Sequence, residues 1–185
     1  MPDKILMDII EEHLPYEIDM LRRTYMQLSV LSKIDPDREP DEQRATRNAL
    51  TESFCVHARS LIEFFADNKK GADAVACEFT DNRFTQLDRS KGPIKTIRDI
   101  KLNKQIFHLT KNRTIVDSEK FDVGKDGMDV LQIIEPAIEH FTNFLLPDFR
   151  SHFNCTTTPL LARNLLPAFA STTAVFAGTV KQATA

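Results

Sequence analysis

Apolar residues recur at helical spacing in four long segments of the chain, and this pattern predicts most of its secondary structure. The first clear stripe repeats at steps of four and three residues and consists of Leu14, Ile18, Leu21, Tyr25 and Leu28. Pro15 fits the first turn of a helix, because the N–H groups of that turn have no intrahelical partner. The pattern therefore predicts a helix that begins at Pro15, preceded by a short helix over about residues 3–13.

A polar break, "SKIDPDREPDEQ", separates this helix from the strongest helical pattern of the chain. The second pattern extends from about Asp41 to Ala66, and Asp41 is placed to cap the N-terminus of the helix. Its apolar stripe consists of Leu50, Phe54, His57, Leu61 and Phe64 or Phe65. One position of the predicted core face is therefore a histidine.

Two further helical patterns follow a glycine-containing and highly charged region at residues 67–95, in which "ADAVACEF" predicts a short helix. The third long helix is predicted from about Pro93 to Asn112, and its apolar residues are Leu102, Ile106 and Leu109. The stretch "VDSEKFDVGKDG" has the composition of a loop. The last helix is predicted over about residues 127–146, with a stripe of Leu131, Ile134, Ile138, Phe141 and Leu145.

Four helices with apolar stripes of this length bury those stripes best by packing against one another. Only "RTIV", at residues 113–116, has a strand-like composition. The sequence therefore predicts an all-α fold, an antiparallel bundle of four to five main helices within residues 1–150.

The C-terminal residues 151–185 differ from the rest of the chain. Their only formal charges are Arg163 and Lys181, and they are rich in Thr, Ala, Leu and Phe. We interpret this segment as a C-terminal extension, which is either mobile or docked on the bundle or on a second subunit.

The composition limits the classes of function. Of the 185 residues, 42% are hydrophobic and 28% are charged, and the formal net charge of −3 provides no general attraction to nucleic acid or to an acidic membrane. The three cysteines, Cys55, Cys77 and Cys155, form no CxxC pair, which argues against disulfides and zinc. The N-terminus lacks the pattern of a signal peptide, and no apolar run is long enough to span a bilayer. These features predict a cytoplasmic protein without membrane or DNA partners.

His108 and the cations around it form the most distinctive polar group of the sequence. Lys104 precedes His108 by four residues and Lys111 follows it by three, so the three share one edge of the predicted helix. Arg113 continues the apolar line of Leu102, Ile106 and Leu109. A histidine with flanking cations can hold a phosphate and move a proton. The alternative interpretation is an ordinary helix edge in contact with solvent.

Metal chemistry fits the sequence less well, because none of the five histidines has a Glu three residues before it, as the di-iron sites of helical bundles require. The chain also lacks a nucleophile motif, a Walker loop and a GxGxxG motif. We expect neither a metal nor a cofactor.

Two segments, "NALTESFCVHARSLIEFF" at residues 48–65 and "NKQIFHLTKNR" at residues 103–113, resemble the paired motifs of a group of uncharacterised bacterial helical proteins. That group is similar to the HEPN superfamily of all-helical bundles, which are often dimeric, metal-independent ribonucleases of toxin–antitoxin and phage-defence systems. The superfamily's signature is an arginine followed, after four to six residues, by a histidine. In this chain His108 matches the histidine, Asn103 stands at the spacing of the arginine, and Arg113 lies on the other side.

The resemblance implies one hypothesis about function. Under this hypothesis, the protein is a homodimeric, HEPN-like bundle that binds RNA and, where the histidine is active, cleaves it. His108 and Arg113 are then the catalytic residues, and Asn103, Lys104 and Lys111 bind the substrate.

The other hypothesis is a non-catalytic bundle that acts as a structural or regulatory partner of another protein. In either case His57 is interpreted as a core histidine bonded to a neighbouring helix. His57, Arg59 and Glu52 are predicted to form a supporting polar network.

Overall fold

The structure is a computed structural model. It describes residues 3–31, 39–66, 71, 73–90, 92–97, 99, 101–102 and 121–160, and of Pro93 it describes the backbone only. The described elements are α1 (Lys4–Asp8), a π-helical turn (Ile9–His13), α2 (Leu14–Leu31), α3 (Asp41–Phe65), a 3₁₀ turn (Ala76–Glu78), α4 (Gly92–Thr96), α5 (Lys125–Phe144) and α6 (Pro147–Arg150). These ranges contain no strand, and an isolated bridge joins Thr80 and Leu145. The prediction of an all-α helical bundle is confirmed.

Helices α2 and α3 form an antiparallel pair. Tyr25, late in α2, contacts Phe54, with ring centroids 5.7 Å apart. Glu17, early in α2, is bonded to His57, one turn further along α3. The contacts thus move toward the C-terminus of α3 as they move toward the N-terminus of α2. The predicted stripe of α2 faces this interface, and all five of its residues are buried.

Helix α5 runs antiparallel to α2 and completes the core. At the start of α5, Gly127 lies against the rings of Tyr25 and Phe54. Further along α5, Glu135 is bonded to Arg22, which lies one helical turn before Tyr25 in α2. At the other end of α5, Phe141 packs against the rings of Phe64 and Phe65. Because Gly127 has no side chain, α5 can approach Tyr25 closely at this point.

The N-terminal helical segment is continuous, contrary to the prediction that a new helix begins at Pro15. The N–H of Leu14 bonds the carbonyl of Ile9, five residues earlier, which widens the helix into a π turn immediately before the proline. In an α-helix the ring of Pro15 would collide with the carbonyl four residues earlier, and the wider turn relieves this collision. Pro15 therefore lies inside the helical segment and is buried.

The other predicted boundaries agree more closely with the structure. Helix α3 has the predicted extent, but its N-cap is Pro40 and Asp41 is already the first helical residue, so the predicted cap was wrong. The stretch "ADAVACEF" contains only the three-residue 3₁₀ turn. Of the helix predicted from Pro93 to Asn112, the structure describes α4 and residues 97, 99, 101 and 102, which have π-helical geometry. The stretch "RTIV" lies outside the described residues.

Residues 151–160 lie against the bundle, and we call them the strap. The ring of Phe153 contacts that of Phe141 with 5.7 Å between centroids, and Leu160 is buried. His152 Nδ1 lies 2.5 Å from a carboxylate oxygen of Glu11 in the π turn. The first ten residues of the predicted extension are therefore docked, while residues 161–185 lie outside the described residues.

Candidate functional site

The stretch at residues 103–113 lies outside the described residues. The structure thus says nothing of five predicted site residues, which are Asn103, Lys104, His108, Lys111 and Arg113. Their roles as catalytic and substrate-binding groups stay predictions. The structure does describe the two residues from which the chain enters this stretch, Lys101 and Leu102.

Lys101 and Leu102 are firmly attached to the bundle. The ammonium group of Lys101 lies 2.5 Å from Asp126 Oδ2 at the start of α5. The same carboxylate oxygen accepts the backbone N–H of Asp122 at 2.7 Å, and Asp126 is buried. Leu102 is fully buried. The polar stretch therefore begins at a fixed point beside the N-terminus of α5.

Two arginines of α3 lie toward this end of the bundle. Arg47 precedes Phe54 by two helical turns on nearly the same face, and Phe54 contacts Gly127 at the start of α5. The guanidinium of Arg47 donates to Glu39 Oε2 at 2.7 Å, and Arg44 donates to the carbonyl oxygen of Glu39 at 3.3 Å. Both cations are thus held in place by an acidic residue just before α3.

His57 is a buried histidine bonded to the neighbouring helix, in line with its interpretation from the sequence. Its Nδ1 lies 2.9 Å from Glu17 Oε2, and only 7% of the residue is exposed. The ring of Tyr16 meets the His57 ring edge-on, at 5.7 Å between centroids. A carboxylate that bonds one ring nitrogen determines both the orientation of the ring and its tautomer.

His57 points away from the other two residues of the predicted polar network. Arg59 lies about 160° and Glu52 about 140° around α3 from His57 in the same sense, so Arg59 and Glu52 share nearly one face, two helical turns apart. Glu52 is exposed, and Arg59 is half-buried at the wall of a cleft. The acidic partner of His57 is Glu17, which comes from α2.

The strongest polar cluster of the described residues was missed from the sequence. Arg22 and Glu135 are both buried and form two hydrogen bonds, from Nε to Oε1 at 3.0 Å and from Nη2 to Oε2 at 2.7 Å. Arg22 also donates to the carbonyl of Thr157 at 2.9 Å, and Glu135 accepts the N–H of Leu160 at 3.1 Å. The ion pair therefore joins α2, α5 and the strap.

Asp19 holds the strap at a second place. Its two carboxylate oxygens accept the N–H groups of Thr156 and Thr157, each at 3.0 Å, as well as both threonine hydroxyls. Burial alone would raise the pKa of Asp19, but the hydrogen bonds from the two threonines outweigh it and lower the pKa below its usual 3.8. Asp19 is thus held in its ionised form, which suits its role as an acceptor.

No cluster of three or more His, Cys, Asp or Glu residues in the described ranges is arranged to hold a metal ion. Within the same part of the chain, none of the helices has both the length and the apolar character needed to cross a membrane. Comparison of the chain with protein-family models, with curated proteins and with solved structures finds no match.

Proposed function

We propose that the protein binds RNA as a HEPN-like helical bundle, through the polar stretch at residues 103–113. The observation that supports this proposal best is the anchor formed by Lys101, Leu102 and Asp126. The stretch follows directly on Lys101 and Leu102, which are held beside the N-terminus of α5. Arg44 and Arg47 lie toward the same end of the bundle, where they are paired with Asp41 and Glu39.

The residue types of the stretch match the chemistry of RNA. Lys104, Lys111 and Arg113 would hold backbone phosphates, which provide most of the affinity in protein–nucleic acid complexes. Asn103 can bond a phosphate or a base edge.

In the catalytic form of the proposal, His108 takes the proton of a ribose 2′-hydroxyl, and the 2′-oxygen attacks the adjacent phosphorus. The bond from phosphorus to the 5′-oxygen then breaks, and the leaving oxygen takes a proton from water. The products carry a 2′,3′-cyclic phosphate and a 5′-hydroxyl.

The second candidate is a non-catalytic bundle that serves as a structural or regulatory partner. The bond between His57 and Glu17 favours it, because the histidine of the first motif is engaged in helix–helix contact within the core. On this proposal His108 and Arg113 would likewise bond a buried carboxylate or carbonyl. Both candidates are compatible with the homodimer that the resemblance implies.

The test measures binding of a fluorescent single-stranded RNA of about 20 nucleotides, with DNA of the same sequence as comparison, in EDTA. Lys104→Ala with Lys111→Ala should weaken RNA binding and reduce the dependence of log K on log salt by about 0.7 for each lost phosphate contact. The control, Lys4→Ala with Lys95→Ala, removes the same charge from two exposed lysines outside the stretch. Equal weakening by both pairs would contradict a site at residues 103–113.

His108→Ala separates the two candidates. If the protein cleaves RNA, this variant keeps its stability and its RNA binding but produces no 2′,3′-cyclic phosphate. If His108 instead belongs to a buried network, the variant loses about 1–3 kcal/mol of unfolding free energy, because a buried partner is left without its hydrogen bond. A stable variant with unchanged RNA binding and cleavage contradicts both candidates.

A further inference from the structure

A cleft of about 400 Å³ lies between the π turn, the start of α2, the second half of α3 and residues 73–75. Its floor is apolar and consists of Ile9, Leu14, Leu61, Phe64, Ala74 and Val75. Its rim carries His13, Glu17, Arg59, Ser60, Glu63 and Asp73. An apolar cavity with a few polar groups at its edge is the usual form of a small-ligand site.

The floor of the cleft is rigid. Phe64 packs against the rings of Phe65, Phe79 and Phe141, with centroids 5.1 to 5.9 Å apart. Leu14 and Leu61 belong to the buried core between α2 and α3. A ligand would thus meet a preformed surface, and binding would not require the core to rearrange.

The rim is also held in place by bonds that point away from the cleft. Glu17 is bonded to His57, and Glu63 to Arg89 at 2.7 Å. On the third wall, the N–H of Val75 donates to the carboxylate of Glu78 at 3.0 Å. Because these contacts orient the walls before any ligand arrives, the cleft has a defined shape.

The charges at the rim favour one kind of ligand. Among the described rim residues, an anionic group would face the three carboxylates of Glu17, Glu63 and Asp73, and one arginine, Arg59. Glu17 and Glu63 already have partners, which are His57 and Arg89. Asp73 is exposed and forms neither a hydrogen bond nor an ion pair within the described part of the chain. A cationic group can therefore bind Asp73 without displacing an existing contact.

We propose that this cleft binds an organic cation with an apolar body, namely a primary amine whose carbon chain lies on the apolar floor and whose ammonium group bonds Asp73. This chemistry is shared by free aliphatic amines and by the lysine side chain of a peptide. The inference is argued from described lining residues of the π turn, α2, α3 and residues 73–75, so it does not rest on the proposed binding of RNA at residues 103–113.

The experiment titrates the full-length, ¹⁵N-labelled protein with n-hexylamine, with hexanoate and with 1-hexanol, and follows the amide signals by NMR. Hexylamine should shift the signals of Ser60, Asp73 and Val75 in a saturable way. Hexanol should bind more weakly, and hexanoate more weakly still. Equal or tighter binding of hexanoate would overturn the assignment of a cation site.

Two variants place the ligand in the cleft. Ser60→Phe puts a ring at the exposed rim and should reduce hexylamine affinity at least tenfold, since the ring occupies the space of the carbon chain. Asp73→Asn should reduce it about threefold, the size of an exposed ion pair. The matched control, Glu42→Gln, removes an exposed carboxylate in the first turn of α3 and should leave the affinity unchanged. Unchanged binding by Ser60→Phe overturns the proposal.

Competition between hexylamine and the peptide acetyl-Leu-Lys-Leu-amide distinguishes a free aliphatic amine from the lysine side chain of a peptide as the ligand. A peptide that displaces hexylamine at lower concentration indicates a protein partner, and a peptide that fails to displace it indicates a free amine. RNA binding by Ser60→Phe is measured in parallel and should equal that of the unmodified protein. The two proposals can then succeed or fail separately.

Discussion

Arg22 and Glu135 are 113 positions apart in the chain and form a buried ion pair with two hydrogen bonds, at 3.0 and 2.7 Å. The remaining polar atoms of the pair are satisfied by the strap, through the carbonyl of Thr157 and the N–H of Leu160. A buried pair stabilises a protein only when such additional bonds complete it, because the removal of two charges from water is costly. The strap thus completes the hydrogen bonding of a pair that belongs to α2 and α5.

Removal of one member of this pair should be strongly destabilising. Arg22→Met leaves the carboxylate of Glu135 buried without its cation, and we expect a loss of about 3–5 kcal/mol of unfolding free energy. The double variant Arg22→Met, Glu135→Leu removes both charges and should recover much of this loss. Urea denaturation measures both. If the unfolding free energy of Arg22→Met were within about 1 kcal/mol of that of the unmodified protein, the description of the pair as a buried unit would be contradicted.

Attachment of the strap should depend on pH through Asp19. Its folded-state pKa lies below the usual 3.8, so its contribution is complete above about pH 4 and is lost as the pH falls through the folded-state pKa. The amide signals of Thr156 and Thr157 in NMR spectra should therefore change together, with a midpoint below pH 3.8. Asp19→Asn should abolish this transition. A midpoint above 4 would show that another group controls the attachment.

Cys155 should report on release of the strap at neutral pH. Burial raises the pKa of its thiol to about 11, so little reactive thiolate forms. Asp19→Ala removes four hydrogen bonds to the strap and should increase the rate at which iodoacetamide modifies Cys155. Exposed Cys77 and buried Cys55 are internal references in the same peptide map, and their rates should not change. An equal increase at Cys55 would indicate general unfolding instead.

Truncation should separate the strap from the residues that follow it. The interpretation of residues 151–185 as an extension of the 1–150 bundle implies that all of them are dispensable for its folding. The contacts of Phe153 and Leu160 revise this expectation, so a chain that ends at Leu160 should melt within a few degrees of the full chain. A chain that ends at Arg150 exposes Phe141 and leaves Arg22 with fewer partners, and it should melt clearly lower. Identical melting of the two shortened chains would refute a structural role for the strap.

Folding should not depend on a metal ion. The described helices are held together by apolar stripes and by ion pairs such as those of Arg22 and Lys101. Circular dichroism at 222 nm and the melting temperature should be the same with and without EDTA. A large loss of helical signal in EDTA would rule this expectation out.

Hydrophobic periodicity was enough to predict the long helices α2, α3 and α5, because burial of one face demands the same spacing whatever the partner. It was not enough to predict which polar groups meet. Arg22 and Glu135 each stand next to an apolar stripe residue, Leu21 and Ile134, and they carry opposite charges. That adjacency was the available signal for the buried pair. Their pairing follows from the register of α2 against α5, which depends on contacts between distant parts of the chain.

The same limit applies to the candidate site. His57 was recognised as a core histidine, but Glu17 was not proposed as its partner, although Glu17 stands next to the stripe residue Ile18 in α2. Glu63, in the same sequence motif as His57, is bonded to Arg89 in the loop after the 3₁₀ turn. A loop without periodicity provides no basis for predicting that contact.

The π turn at Ile9–His13 has a consequence for how the gene can change. A π turn is an α-helical segment with one inserted residue, and here Ile10 within the turn and Leu14 directly after it are both buried. Deletion of Glu11 or Glu12 would restore an ordinary α-helix, rotate α1 by about 100° about its axis and bring the ring of Pro15 against a backbone carbonyl. Replacement of Pro15 by alanine would remove that collision. A shorter homologue should therefore lack both the inserted residue and the proline, and these two changes should occur together.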